Sequence, residues 1–173
     1  MIRVLDFTHR QALEHIMAKE FRLSRRQACI GLATSIFTPT FAKIAFAETP
    51  EIFTRRGLAI GGYDPVAYFV AGEPQKGSES LEISYKGAKW RFANSDNLEA
   101  FRTNPEIYAP QYGGYCAWAV SFGYTASIHP EAWSIADNKL YLNYSKSVRR
   151  QWLEDKDNRI SLADQNWPAV LDR

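Results

Sequence analysis

Past residue 47 of the 173-residue chain, the candidates for soft-metal or nucleophilic chemistry are Cys116 and His129, the one cysteine and one histidine there, with Asp64. Cys116 lies in QYGGYCAWAV, Gln111 to Val120, behind the glycine pair Gly113-Gly114 and ahead of an apolar run. A thiol in the first turn of a helix meets amide dipoles that favour the thiolate. His129 follows thirteen residues later. A Cys116/His129 pair completed by Asp64 or a tyrosine hydroxyl would suit copper or zinc, with fewer firm ligands than a tight site uses. The same two residues are also the one thiol–imidazole pairing available after residue 47 for a nucleophile. Cysteine is equally among the most buried residue types, and Ala117, Trp118, Ala119 and Val120 make an apolar setting in which it would simply pack. Asp64 precedes Pro65 and reads as a helix cap. His129 precedes Pro130 and reads as part of a capped helical turn over His129 to Trp133, with Pro130 at the first helical position. The sequence contains no Ser-His-Asp pattern, phosphate loop, paired carboxylates or Cys-x-x-Cys.

The elements that must position these residues follow from local pattern. Leu58-Ala59-Ile60 suits a short strand, and GGYDPVAYF, Gly61 to Phe69, a glycine turn followed by a capped helical turn. LEISYKGAKWRF, Leu81 to Phe92, alternates through a Lys86-Gly87 turn and predicts a β-hairpin. Asn94 or Ser95 caps a helix with Leu98 and Phe101 facing inward, and Pro105 ends it near Thr103 and opens a second turn. YCAWAVSFG predicts a short helix ended by Gly123. WSIADNKLYLNY predicts a second hairpin turning at Asp137-Asn138. Ser145 caps KSVRRQWLEDK, with Val148 and Trp152 on one face and Arg149-Arg150 on the solvated side. A last helix ends near Pro168. The result is a small α+β domain with two antiparallel hairpins and several short helices. GGYDPVAYF and GGYCAWAV echo each other, in too few positions to establish a repeat.

Composition narrows the classes further. The 173 residues carry a net charge of +2, without the basic field that nucleic acids require. Residues 1–47 read as an export signal. Arg25-Arg26 precedes an apolar stretch that ends in Ala45-Phe46-Ala47, an A-x-A pattern with cleavage after Ala47. Ser24-Arg25-Arg26 suggests the twin-arginine route, and Met17 lies closer to the pair than Met1 as a start. The apolar stretch is broken by Pro39 and Lys43 and is short for a membrane span, so no stable span is expected after cleavage. These signals place the protein in the periplasm. Seven of the 21 Lys and Arg and three of the 19 Asp and Glu precede residue 48, which leaves 14 against 16, net −2, over 48–173. Cys116 is the one cysteine after residue 47, so no internal disulfide can form there, and a free thiol in an oxidising compartment is exposed to oxidation.

Asp64-Pro65-Val66, then Tyr85, Gly87, Trp90 and Phe92, then Phe101, Pro105 and Tyr108 resemble the YHS domain family. GGYCAWAV, PEAW and KLYLNYS resemble an exported bacterial branch of it, and the resemblance spans about Leu58 to Trp152. It implies a small α+β domain at 48–173 that acts as a binding or accessory module, with an unknown protein or a metal ion as partner. In metal-related members cysteines stand where this chain has Ala67, Ala93 and Asn97. Copper or zinc handling would therefore fall to the lone thiol of Cys116, assisted by His129 and Asp64. A thiol-dependent enzyme or redox protein using Cys116 is the alternative, and an interaction domain that binds no ligand is the third reading.

Overall fold

The structure, a computed structural model, describes residues 49–172. The export signal expected at 1–47 lies outside the described residues. Strand β1 (Thr54–Arg55) turns through Arg56 and Gly57, both left-handed (φ 55° and 78°), into β2 (Leu58–Ala59). That backbone matches the primed turns of two-residue hairpins. The sequence reading placed only the second of these strands. Helix α1 (Ala67–Val70) follows the Asp64-Pro65 turn, and β3 (Ser78–Tyr85) and β4 (Ala88–Phe92) form the expected hairpin. Lys86 and Gly87 take left-handed angles at its tip. Ile83 faces Trp90 and Tyr85 faces Ala88, so the sheet's aromatic side turns inward. β2 joins β4 in parallel, giving a four-stranded sheet in the order β1-β2-β4-β3.

Helix α2 (Ser95–Thr103) is capped by Asn94, whose side chain accepts from the Asn97 amide at 2.8 Å. Its Phe101 packs fully buried against Trp90 and Phe92, with ring centroids 5.2 Å from each. Pro105 opens α3 (Pro105–Tyr108). A 3₁₀ turn at Gln111–Gly114 leads into α4 (Ala117–Ser121), shorter than its apolar run because Phe122 leaves helical geometry before Gly123. The second hairpin, β5 (Trp133–Ala136) and β6 (Lys139–Leu142), forms its own two-stranded sheet and turns at Asp137-Asn138. The expected capped helical turn at His129-Pro130 is instead a plain turn, closed by the Ala132 amide on the His129 carbonyl at 2.8 Å.

Ser145 caps α5 (Lys146–Glu154), and α6 (Lys156–Asn166) follows after a break at Asp155. Arg149 is not purely solvated, since its Nε donates to the buried Ser134 Oγ at 2.8 Å and ties α5 to β5. Two apolar clusters result. One gathers Ile60, Val66, Tyr68, Trp90, Phe92, Phe101, Leu140 and Leu142 around the larger sheet. The other sets Tyr141 and Trp152, rings 5.1 Å apart, beneath α4 and α6. The described residues thus form a small α+β domain with two antiparallel hairpins. None of their helices is long and apolar enough to cross a membrane.

Candidate functional site

Asp64 is fully buried, and four donors point at it. Oδ1 accepts from the amides of Val66 (2.8 Å) and Ala67 (3.2 Å), which starts α1. Oδ2 accepts from the Ala93 amide (2.8 Å) and from Asn97 Nδ2 (2.6 Å), which joins α1 to the end of β4 and to α2. A carboxylate has about four lone-pair sites, so this one is fully used within the fold.

Cys116 occupies the equivalent place in the second half of the chain. Each residue follows a left-handed glycine pair and a tyrosine, and each precedes a short helix, a hairpin and a longer helix. The Asp64 amide donates to Gln75 O and the Cys116 amide to Ala126 O, at 2.9 and 3.1 Å. Asp64 receives the Ala93 amide just beyond β4, and Cys116 Sγ receives the Tyr144 amide at 3.2 Å just beyond β6. An asparagine attends each, Asn97 for Asp64 and Asn143 for Cys116. The echo between GGYDPVAYF and GGYCAWAV is therefore a shared structural plan. Its carriers are backbone bonds, which sequence similarity over nine positions does not display.

The sulfur itself is buried, with Cys116 1 % exposed. Its thiol donates toward Asn143 Oδ1 at 3.7 Å. Burial pushes the thiol above its ordinary value, and bonds from the amides of Ala119, Tyr144 and Trp118 pull the other way without offsetting it. The expected helix-start position is correct, since Cys116 is the N-cap of α4. The thiolate is nonetheless disfavoured, because desolvation outweighs one short turn of amides.

Asn143, which sequence reasoning missed, organises this half. It is fully buried, its backbone donates to Ala132 O and accepts from His129 N, and its Oδ1 also accepts from the Trp118 amide at 3.2 Å. That amide requires an acceptor, which fixes the orientation of the carboxamide. Nδ2 is then left buried without a partner. The available signal was a polar residue immediately after the apolar alternation of KLYLNY.

His129 is exposed, and its Nδ1 accepts from the Glu131 amide at 3.2 Å. The Asp64 carboxylate thus stands apart from the other two. Cys116 and His129 meet only through Asn143, which binds the thiol with its side chain and the His129 amide with its backbone carbonyl, and the imidazole does not approach the sulfur's partners. Among the described residues, no group of three or more His, Cys, Asp and Glu side chains converges as metal ligands would. On the surface beside α4, Phe122 and Tyr124 are more than half exposed, and the Arg159 guanidinium stacks 4.6 Å from the Trp118 and Phe122 rings.

The protonated thiol and buried phenols have a measurable consequence. Tyr85 and Tyr141 are pushed up to about 12, by burial first and then by nearby carboxylates, and burial also raises Tyr68. For each of these groups the folded state prefers the neutral form. Stability is complete below the unfolded pKa and is lost as rising pH ionises the unfolded chain first. Denaturation midpoints should therefore decline from about pH 9, where an unfolded thiol titrates, and more steeply above about pH 10, where unfolded tyrosines do. A midpoint that stays flat to pH 11 would contradict this burial.

Compared with family models, curated proteins and solved structures, the chain finds no match.

Proposed function

We propose that this chain is a non-catalytic binding or accessory domain of YHS type, acting in the periplasm after export. Cys116 serves in it as an internal cap. The observation that carries this reading is the state of the sulfur: buried, bonded to the Tyr144 amide and Asn143, and held as a thiol. A nucleophilic or redox thiol needs thiolate character and access, and this one has neither. The likeness of Asp64-Pro65-Val66, the β3–β4 hairpin and α2 to the YHS pattern supports the family. The exposed Tyr124 and the exposed Phe122, on which Arg159 stacks, have the aromatic and arginine chemistry that protein partners engage.

Copper or zinc handling through Cys116 asks more of this geometry, since the metal must first displace the Tyr144 amide and reach a buried atom. Two measurements on the native protein test the proposal. Thiol labelling of Cys116 at pH 8 should be at least a hundredfold slower than in denaturant, as expected for a core thiol reached through opening. Copper and zinc titrations should give the same affinity for wild type and Cys116→Ser. Rapid native labelling would favour the thiol-dependent reading, and metal binding lost in Cys116→Ser would favour the metal reading.

A further inference from the structure

Seven of the 14 Lys and Arg over 48–173 are matched to carboxylates. Lys86, Lys89, Arg91, Arg102, Lys146, Lys156 and Arg159 each lie within ion-pair distance of an Asp or Glu. Among the described residues Lys139, Arg149 and Arg150 have no such partner, and neither do Arg55, Arg56 and Lys76, which alone of these six share one exposed corner of the fold. Arg55 ends β1, Arg56 forms the tip of the β1–β2 turn, and Lys76 pairs across from Tyr63.

Two of the three side chains are held in place by neutral groups. Arg55 Nη2 donates to the Ile128 carbonyl at 2.8 Å. Lys76 Nζ donates to the Gly61 carbonyl at 3.0 Å and lies 3.8 Å from the centre of the Tyr63 ring. These contacts fix the cations without neutralising them. Neither Glu73, which accepts from the neutral Gln75, nor Glu131, which pairs with Lys146, lies within ion-pair distance of them. Arg55 and Arg56 lie close enough to Lys76 for their charges to lower its pKa, alongside a larger desolvation effect. Three mutually repelling, partly fixed cations with no carboxylate in ion-pair contact form a local positive field. Arginine forks and a lysine point charge together suit the oxygens of a phosphate group.

We infer that the Arg55–Arg56–Lys76 corner is a binding site for phosphate-bearing ligands. The inference rests on this charge arrangement and is independent of the role given to Cys116. It is tested by backbone NMR on the full chain, with inorganic pyrophosphate as probe, and by co-sedimentation with phosphatidylglycerol vesicles against phosphatidylcholine vesicles. Pyrophosphate is expected to shift the amides of Gly61, Tyr63 and Lys76. Lys76→Gln and Arg55→Gln should each weaken binding by about fivefold, the scale of one exposed charge pair. Lys139→Gln removes the same charge from an exposed residue at the β5–β6 turn and should leave binding unchanged. Binding to phosphatidylglycerol vesicles alone, with the same ranking of variants, supports the site with lipid as the phosphate source. Equal weakening by Lys139→Gln, shifts scattered over the surface, or no binding to either probe overturns the proposal. Because Lys76 carries only surface contacts, its variant remains informative even if Arg55→Gln disturbs the loop at Ile128.

Discussion

Replacing Asp64 with alanine is expected to destabilise the domain by about 4 kcal/mol, since it strands several buried donors at once. The amides of Val66, Ala67 and Ala93 and the Asn97 carboxamide all lose their acceptor. No residue nearby offers a replacement, and the site is sealed from water, with Asp64 0 % exposed. The melting temperature should fall by roughly 15 °C for a domain of this size. Asp64→Asn preserves the shape but turns one acceptor into a donor that faces other donors, so about half the loss is expected. The experiment also separates two roles. A metal-ligating Asp64 would leave the metal-free protein's stability nearly intact and change metal affinity. A structural Asp64 does the reverse. A loss below about 1 kcal/mol in metal-free Asp64→Ala would refute the structural role.

The elements legible in the sequence were those set by side-chain pattern. The alternation of Leu81 to Phe92, the cap at Asn94, the stop at Pro105 and the Asp137-Asn138 turn all have their expected places. What pattern could not convey was pairing between distant backbone segments. The β1 strand has only two exposed residues, Thr54 and Arg55, and exists because β2 is fixed by parallel pairing to β4. The division of the C-terminal run into two helices was legible, and the break falls at Asp155, within two residues of the end expected for KSVRRQWLEDK. For the candidate site, position was legible but environment was not. Cys116 stands at a helix start as expected, yet its state is set by Tyr144 and Asn143, which lie 28 and 27 residues away.

The shared plan of the two halves also explains why a carboxylate at one position and a thiol at the other behave so differently. Asp64 brings two oxygens to four donors and leaves none unsatisfied. Cys116 brings one weak acceptor to the same kind of cradle. Asn143 compensates in part, since its Oδ1 takes the Trp118 amide, at the expense of leaving its own Nδ2 unpaired. The second half is thus the less completely bonded of the two. Local opening should favour it, and hydrogen exchange should be faster at Tyr144 than at Ala93.

Gly113→Ala is expected to be as damaging as the loss of Asp64, through overlap and not through lost bonds. Gly113 is left-handed (φ 59°), and a Cβ there would stand 1.8 Å from the Glu51 carbonyl oxygen and 2.9 Å from its carbon. Backbone cannot rotate away as a side-chain tip can. The Phe53 amide also donates to Gly113 O at 2.9 Å, and Tyr115 Oη donates to Pro50 O at 2.8 Å, so the two segments are bonded where they touch. Relieving the overlap means lifting residues 50–53 off the turn and uncovering Ile52 from the core. A cost on the order of 3–5 kcal/mol follows. Gly57→Ala supplies the comparison: its φ is 78°, but nothing lies within 4 Å of the added carbon. That variant should lose only about 1 kcal/mol, from the left-handed backbone alone. The difference between the two measures the close approach itself. Denaturant midpoints give the costs, and exchange of the Phe53 amide reports whether the segment has lifted. Cys116 lies three residues beyond Gly113, so its labelling should accelerate in Gly113→Ala and not in Gly57→Ala. Equal stability losses in the two variants would show that residues 50–53 yield freely, and that the glycine is needed for its backbone angle only.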